Sequence, residues 1–111
     1  MNNEINNSRL TQLLALLSKQ PQEVFLHYAI ASEYKKEQNW EEAVFWFQKT
    51  LQLDPSYLAA YYQMAEAFEA NEQRDAAKKA YEVGIIYAQA AKDLKSISEF
   101  KNALMNLEIE D

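Results

Sequence analysis

Two prolines, Pro21 and Pro55, stand 34 positions apart in a chain of 111 residues, and the sequence between them is repeated in kind by the sequence that follows. Each unit of this length holds two segments whose apolar residues recur at helical spacing. Residues at equivalent positions of the two units are identical or similar in size: Tyr28/Tyr62, Ala31/Ala65, Ala43/Ala77, Ile30/Met64, Tyr34/Phe68, Phe47/Tyr81 and Leu51/Ile85. A period of this length built from two helices is typical of a helical solenoid, because a single repeat cannot bury its apolar face alone.

The composition agrees with a helical chain of one domain. The whole sequence contains one glycine and two prolines, which leaves little room for strand turns or long loops. The length suits a single domain that buries roughly two thirds of its unfolded surface. The sequence therefore predicts an all-α fold, an α-α superhelix of about six antiparallel helices.

Apolar periodicity and polar breaks divide the chain into one domain with short ends. The first helix has no partner helix before it, so it resembles the second half of an incomplete repeat. The last helix is amphipathic and polar outside, as the terminal helix of a solenoid must be. The break between the last two helices, at Lys92 and Asp93, is only weakly marked. The predicted segments are a flexible N-terminus (1–7), a single domain (8–107) made of a half repeat (8–20), a repeat (21–54), a second repeat (55–91) and a capping helix (93–107), and an acidic tail (108–111).

Several residues predict where helices begin. Ser8 is a suitable N-cap for the first helix, and Asn39 is a suitable N-cap for the helix that follows it. Pro21 and Pro55 are each predicted in the first turn of a helix, where a missing N–H costs nothing. Asp54 is the predicted N-cap of the helix that contains Pro55.

Small residues predict close packing between helices. Ala31 is expected opposite Ala43, and Ala65 opposite Ala77, so that paired helices cross about 8 to 10 Å apart. Gly84 lies inside a predicted helix, where glycine costs about 1 kcal/mol relative to alanine. We therefore expect a neighbouring backbone to pass close to Gly84.

The charge and the N-terminal sequence restrict partners and location. A net charge of −6 opposes phosphate backbones, whereas nucleic-acid-binding proteins usually carry a basic stripe. The absence of cysteine excludes disulfides. The N-terminus lacks the basic region of a signal peptide, and the apolar run from Leu10 to Leu17 is interrupted by Thr11 and Gln12. We expect a cytoplasmic protein whose partners include neither nucleic acid nor membrane.

No residue pattern predicts catalysis or a bound cofactor. His27 is the only histidine, and with Glu23 one turn earlier it offers two metal ligands, which are too few for a structural zinc site. A packed or surface histidine is the better interpretation. The serines have no second histidine as a base, and no phosphate-binding loop is present. Glu41 and Glu42 are expected on a solvated helix face, where nothing desolvates their carboxylates. We therefore expect no enzymatic activity, no metal and no cofactor.

With Val24 and Leu58 as first positions, both units resemble the tetratricopeptide repeat (TPR) family. In the first repeat the residues at the family's leucine, small, tyrosine, alanine, aromatic and proline positions are Ile30, Ala31, Tyr34, Ala43, Phe47 and Pro55. In the second repeat they are Met64, Ala65, Phe68, Ala77 and Tyr81, with Gln89 in place of the proline. Gln38 and Glu72 replace the usual turn glycine. The resemblance covers about residues 8–107 and indicates a TPR-like solenoid, similar to short TPR proteins with a half repeat, two repeats and a capping helix.

The resemblance implies a non-catalytic protein–protein interaction module, in which the first helix of each repeat lines a concave groove for a peptide or partner helix. By the family's pattern the groove residues are Phe25, Tyr28, Ser32, Lys35, Tyr62, Gln63, Glu66 and Glu69. Aromatic residues beside amides and charges suit recognition, although Tyr28 and Tyr62 could instead only pack between helices. The carboxylate clamp of TPR proteins that bind chaperone C-termini is absent, since Tyr28, Ser32 and Gln63 stand at its positions.

A second hypothesis is self-association through exposed aromatic residues. Phe45 has only polar neighbours one helical turn away, so it should face solvent, and the adjacent Trp46 is only partly explained by the repeat pattern. Together they predict a convex patch that joins a homodimer or a larger scaffold. The alternative is one isolated exposed aromatic residue beside a half-buried tryptophan. A remote third hypothesis is a non-catalytic subunit of an enzyme complex.

Overall fold

The computed structural model describes residues 7–110, which form six α-helices and no β-strand. The helices are α1 (Ser8–Lys19), α2 (Val24–Lys36), α3 (Trp40–Leu53), α4 (Leu58–Ala70), α5 (Arg74–Ala91) and α6 (Leu94–Ile109). Each helix packs against the next one along the chain, and α2 also contacts α4. The prediction of an all-α superhelix of six helices is confirmed. Residues 1–6 and 111, which belong to the predicted flexible N-terminus and acidic tail, lie outside the described residues.

The prediction that both prolines lie in the first turn of a helix is wrong. Pro21 and Pro55 each lie three residues before a helix, in a turn closed by a hydrogen bond from Glu23 N to Gln20 O (3.1 Å) or from Tyr57 N to Asp54 O (3.1 Å). Proline suits the second position of such a turn, because its fixed φ matches and its missing N–H is not needed.

Two of the three proposed N-caps also differ from the prediction. Asp54 does not cap α4: its Oδ1 accepts hydrogen bonds from the backbone N–H and the hydroxyl of Ser56, at 3.0 and 2.7 Å, and so stabilises the turn. Ser8 is the first residue of α1 and Asn7 is its N-cap. Asn39 caps α3 as predicted, because its side chain accepts from Glu42 N at 3.4 Å.

Three helices end in a residue with left-handed backbone conformation: Gln38 (φ 62°) after α2, Glu72 (φ 61°) after α4 and Lys92 (φ 56°) after α5. Their N–H groups and those of the next residues donate back to carbonyls in the last helical turn, as in a Schellman motif. The break at Lys92 therefore separates α5 cleanly from α6. Asp93 caps α6 by accepting from Ser96 N at 3.0 Å. Because α6 continues to Ile109, two residues of the predicted acidic tail are helical.

Two clusters of buried side chains form the core. The larger cluster extends from α2 to α6 and includes six fully buried alanines: Ala31, Ala43, Ala60, Ala65, Ala77 and Ala88. The smaller cluster holds α1 against α2 and consists of Leu10, Leu13, Leu26, Ala29 and Ile30. Small side chains at facing positions let the helices approach closely, so the α2–α3 and α4–α5 pairs pack as units.

Gly84 is buried next to a side chain, and not next to a backbone as the sequence suggested. A β-carbon at Gly84 would lie 2.7 Å from Cε1 and Cζ of the Phe100 ring. The ring itself is 2% exposed. Glycine at this position therefore makes room for the ring that fixes α6 on α5.

Candidate functional site

The first helices of the two complete repeats, α2 and α4, contact each other directly. Among helices that are not consecutive in the chain, α2 and α4 have the most extensive contact within residues 7–110. Lys35 of α2 crosses to α4, where its Nζ donates to Gln63 Oε1 at 2.5 Å and to Glu66 Oε1 at 2.7 Å. Three of the residues that the sequence proposed for the groove are thus joined directly.

Tyr28 is half-buried and packs with one side of its ring on the core. Its ring centroid lies 5.7 Å from that of Phe47 and 5.0 Å from that of Tyr57. Burial is the main cause of its raised pKa. Ser32, one turn further along α2, donates its hydroxyl to the carbonyl of Tyr28 at 3.0 Å. Tyr28 therefore packs between helices and still leaves part of its ring at the groove.

Tyr62 occupies the equivalent position on α4 and contacts both α5 and α6. Its ring centroid lies 5.5 Å from that of Tyr81 and 5.7 Å from that of Phe100. Burial raises the pKa of Tyr62, and the charges of three carboxylates raise it further: Glu66, Glu99 and Glu69. The hydroxyl of Tyr62 therefore lies in a negatively charged environment.

Glu69 is held in place by a buried tyrosine. The hydroxyl of Tyr81 donates to Glu69 Oε2 at 2.6 Å. Burial raises the pKa of Tyr81 well above its ordinary value, and the hydrogen bond to Glu69 raises it further. The carboxylate of Glu69 is thus held by Tyr81, whose ring also contacts that of Tyr62.

Phe25 stands apart from the other proposed groove residues. It is 52% exposed and lies ten residues before Lys35 on α2, which corresponds to about 15 Å along the helix. No ring or polar contact joins it to the group around Lys35 in the described part of the chain. Phe25 and Lys35 therefore lie near opposite ends of α2.

The structure adds three residues that the sequence did not place at the groove. Lys36 and Trp40 border a cavity of about 370 Å³, together with Ser32, Lys35 and Gln63. Trp40 is half-buried and forms a wall of this cavity. Glu99 comes from α6, a helix that the repeat pattern treats only as a cap. Its charge helps to raise the pKa of Tyr62, an influence that depends on how α6 packs and that no local sequence signal gives.

The proposed aromatic patch on the other side of the molecule consists mainly of Phe45. This residue is 48% exposed, and Lys49 Nζ lies 5.4 Å from its ring centroid. Trp46 meets Phe45 edge-on, with centroids 5.6 Å apart, but it packs inward against both core clusters. Its indole N–H is buried and has no acceptor among residues 7–110. Phe45 thus supplies the exposed apolar surface.

Next to Phe45 the same side carries an apolar cavity. Gln48, one turn after Phe45 on α3, stands at its edge, and the cavity measures about 250 Å³. The remaining lining residues come from α4 and α5: Tyr61, Met64, Phe68, Ala76, Lys79, Ala80 and Val83. An exposed ring therefore lies close to an apolar recess on one surface.

His27 is a packed histidine. It is 6% exposed, its Nδ1 lies 2.9 Å from the carbonyl oxygen of Glu23, and its ring centroid lies 5.8 Å from that of Trp46. Within residues 7–110 no three histidine, aspartate or glutamate side chains are grouped as a metal site would require. In the same range no helix has the length and apolar content needed to cross a bilayer.

Comparison with known proteins gives one family match and several structural matches. The family model described as TPR repeat matches residues 31–71. A solution structure of a tetratricopeptide repeat domain protein from Salinibacter ruber is 30% identical, with a TM-score of 0.76, over 82% of this chain and 92% of that one. The crystal structure of the tetratricopeptide repeat domain protein from the same organism is 29% identical, with a TM-score of 0.73, over 80% and 100%.

A solution structure of a protein from Bordetella parapertussis has a TM-score of 0.82 at 24% identity and covers 92% of this chain and 89% of that one. At this identity the similarity concerns the fold alone. A comparison with curated proteins found no match.

Proposed function

The chain belongs to the tetratricopeptide repeat family, and we propose that its groove along α2 and α4 binds an extended peptide or a helix of a partner protein. Tetratricopeptide repeat domains bind protein partners. The groove would act by binding alone, without catalysis. The proposed contact residues are those of the two first helices: Phe25, Tyr28, Ser32, Lys35, Tyr62, Gln63, Glu66 and Glu69.

The observation that carries the proposal is the bridge from Lys35 to Gln63 and Glu66. It ties α2 to α4 and fixes the width of the groove before any partner arrives. A surface that is already ordered loses less conformational entropy on binding, so more of the contact energy remains as affinity. The bridge therefore supports a groove prepared for a ligand.

The two groove tyrosines support the same conclusion. Tyr28 and Tyr62 are each held by two ring contacts on their inner side and are partly exposed on the other. A rigid aromatic ring supplies contact area at little entropic cost, and its hydroxyl can form hydrogen bonds with a peptide. Packing between helices and contact with a partner are thus compatible roles for these residues.

Affinity capture with a blocked groove tests the proposal. Ser32→Arg adds a long side chain to the groove wall, and the contacts it removes are the hydrogen bonds of Ser32 with the carbonyl and the side chain of Tyr28. Gln52→Arg makes the same kind of change at an exposed position of α3 that lines neither cavity, and it is the matched control. Partners recovered with the wild type and with Gln52→Arg should be lost with Ser32→Arg. Recovery of the same proteins by all three baits would contradict the groove assignment.

Self-association through Phe45 is a second candidate function. The observation that favours it is the exposed ring of Phe45 beside an apolar cavity of about 250 Å³ on the same surface. Two copies related by a two-fold axis could each place this ring in the cavity of the other. Trp46 would support the ring of Phe45 from behind, without itself contacting the partner.

Light scattering distinguishes the two candidates. If Phe45 joins two copies, the wild type has the mass of a dimer and Phe45→Glu has the mass of a monomer. Gln52→Glu, an exposed position on the same helix, is a control for the added charge. A monomeric mass for the wild type at high protein concentration would exclude this interface and leave the groove as the working surface.

A further inference from the structure

The cavity of about 370 Å³ beside the last turns of α2 is rich in hydrogen-bond donors. Its lining residues are Ser32, Lys35, Lys36, Trp40 and Gln63, and no carboxylate among residues 7–110 is part of the lining. Ammonium groups and the indole N–H can donate hydrogen bonds but cannot accept them. The cavity therefore suits a group that accepts hydrogen bonds.

The hydrogen bond between Lys35 and Gln63 fixes the orientation of the Gln63 amide. An ammonium group only donates, so the atom that lies 2.5 Å from Lys35 Nζ is the amide oxygen of Gln63. The amide nitrogen has no acceptor within residues 7–110. Lys35 donates to Gln63 and to Glu66, which leaves one of its three N–H groups. Donors of both residues are thus available to a ligand.

Lys36 brings a positive charge that the protein only partly neutralises. Its Nζ lies 3.4 Å from Glu33 Oε2, and the same oxygen accepts a hydrogen bond from Arg9 Nε at 3.1 Å. One carboxylate therefore faces two cations, whereas Lys35 and Glu66 balance each other. These five side chains together carry one positive charge in excess. Because the Lys36 side chain is 71% exposed, it is free to turn from Glu33 towards a ligand.

We infer that this cavity binds an acidic side chain of the segment held in the groove, with the carboxylate between Lys36 and the Gln63 amide. The methylene groups of that side chain pack against the indole of Trp40, which forms a wall of the cavity. The inference rests on the proposed function of the groove and specifies its partner as a segment with a glutamate or aspartate at this point. The net charge of −6 opposes such a segment only at long range, since salt screens it beyond about 8 Å.

Selection from two phage libraries of random twelve-residue peptides tests the inference without knowledge of the natural partner. In the first library the C-terminus of each peptide is fused to the coat protein, so that carboxylates are present only on side chains. In the second library the C-termini are free. The immobilised wild type should enrich peptides from the first library that carry glutamate or aspartate at one recurring position.

Enriched peptides, synthesised with an amidated C-terminus and a fluorescent label, are titrated by fluorescence anisotropy against variants of Lys36. Lys36→Gln removes the charge and should lower affinity about two- to fivefold, the range of an exposed ion pair. Lys36→Arg keeps the charge and should keep the affinity. The matched control is Lys101→Gln, at an exposed position of α6 that lines neither cavity, and it should leave the affinity unchanged.

A change in the peptide identifies the partner of Lys36. Replacement of the recurring acidic residue by its amide should weaken binding to the wild type by the same factor. It should weaken binding to Lys36→Gln by little more, because both changes remove one interaction. Losses that simply add would overturn the inference.

The indole of Trp40 shows where the peptide binds. The chain has two tryptophans, so a nitrogen–proton correlation spectrum contains two indole signals, and Trp40→Phe identifies that of Trp40. An enriched peptide should shift this signal more than that of Trp46, whose indole N–H is buried. A shift of the Trp46 signal alone would place the peptide elsewhere and overturn the inference.

The outcomes separate this inference from the groove proposal. Ser32→Phe narrows the cavity without adding a charge, since Ser32 lines it. Peptides that Ser32→Phe no longer binds, but that lack a recurring acidic residue or are unaffected by Lys36→Gln, would overturn the inference and leave the groove standing. Enrichment from the second library alone would do the same, because a chain terminus would then be the ligand. Peptides that bind Ser32→Phe as well as the wild type, or no enrichment from either library, would overturn both.

Discussion

The Phe100 ring of α6 occupies the space where a side chain on Gly84 of α5 would begin. A β-carbon at Gly84 would stand 2.7 Å from two ring carbons, closer than side chains pack. Because Phe100 is fully surrounded, it cannot move away without disturbing Tyr62 and Tyr81, whose rings it contacts. Gly84 thus allows α6 to pack closely on α5, with the Phe100 ring in contact with the rings of Tyr62 and Tyr81.

Gly84→Ala should therefore destabilise the protein, although alanine is the better helix former. The gain in helix propensity is about 1 kcal/mol, whereas overpacking in a core costs about 1 to 3 kcal/mol. We expect a net loss of roughly 1 kcal/mol in urea denaturation followed by circular dichroism. Phe100→Leu should reduce the additional cost of Gly84→Ala, because the smaller side chain leaves room for the new methyl group. Wild-type or higher stability for Gly84→Ala would contradict the prediction.

Glycine at the helix ends should have the opposite effect. Gln38, Glu72 and Lys92 adopt φ of 62°, 61° and 56°, a conformation that costs a residue with a β-carbon about 1 to 2 kcal/mol. Gly is free of this cost but loses more entropy on folding. We expect each of Gln38→Gly, Glu72→Gly and Lys92→Gly to raise the free energy of unfolding by about 0.5 to 1 kcal/mol.

Glu37→Gly is the matched control for the first of these variants. Glu37 is the residue before Gln38 and has φ of −87°, which any residue adopts. Glycine there should lower stability, because it only adds freedom to the unfolded chain. Thermal denaturation of the two variants in parallel should shift the midpoint in opposite directions. A downward shift for both would refute the backbone argument.

The fold was predictable because its signals are local and repeated. Helical periodicity and the alanines at facing positions, such as Ala31 and Ala43, recur in both units and point to one architecture. The helix starts were less predictable, since proline fits both a first helical turn and the second position of a β-turn. Pro21 and Pro55 occupy the turn. The left-handed backbone conformation of Gln38 and Glu72 was predictable, because the family usually has a glycine at these two turn positions.

The site was predictable only as a set of positions on two helices. The contact of Lys35 with Gln63 and Glu66 depends on how α2 and α4 cross. The sequence does not predict this crossing accurately enough to identify individual hydrogen bonds. Glu99 could not be placed because α6 departs from the repeat. It begins at Leu94, 36 positions after Leu58 begins α4, whereas α4 begins 34 positions after α2. The partner of Gly84 was misjudged for the same reason.

The buried alanines give a direct test of helix packing. Ala65 is fully buried on α4, whereas Ala59 is exposed on the same helix. Ala65→Leu should destabilise by about 1 to 3 kcal/mol, because three further carbons have no space at a close helix contact. Ala59→Leu should change stability by less than about 0.5 kcal/mol. Equal effects in urea denaturation would show that the two positions are not packed differently.

The raised pKa of Tyr61 predicts how the stability of the protein changes at alkaline pH. Burial raises the pKa of Tyr61 to about 12, against 10.0 for an ordinary tyrosine, and its hydroxyl donates to the carbonyl of Pro55 at 2.7 Å. Between these two values the unfolded chain has lost the proton and the folded chain keeps it. Stability is therefore fully present below pH 10 and decreases as pH rises towards 12, by up to about 1.4 kcal/mol per pH unit for this group.

Tyr61→Phe removes the ionisable hydroxyl but keeps the packing of the aromatic ring. At pH 7 the variant should lose about 0.5 to 1.5 kcal/mol with the hydrogen bond to Pro55. Between pH 10 and 12 its free energy of unfolding should decrease less steeply than that of the wild type, because phenylalanine has no proton to release. The remaining slope comes from the other tyrosines with a raised pKa, Tyr81 above all. Urea denaturation across this pH range measures both slopes, and parallel curves for the two proteins would show that Tyr61 does not keep its proton in the fold.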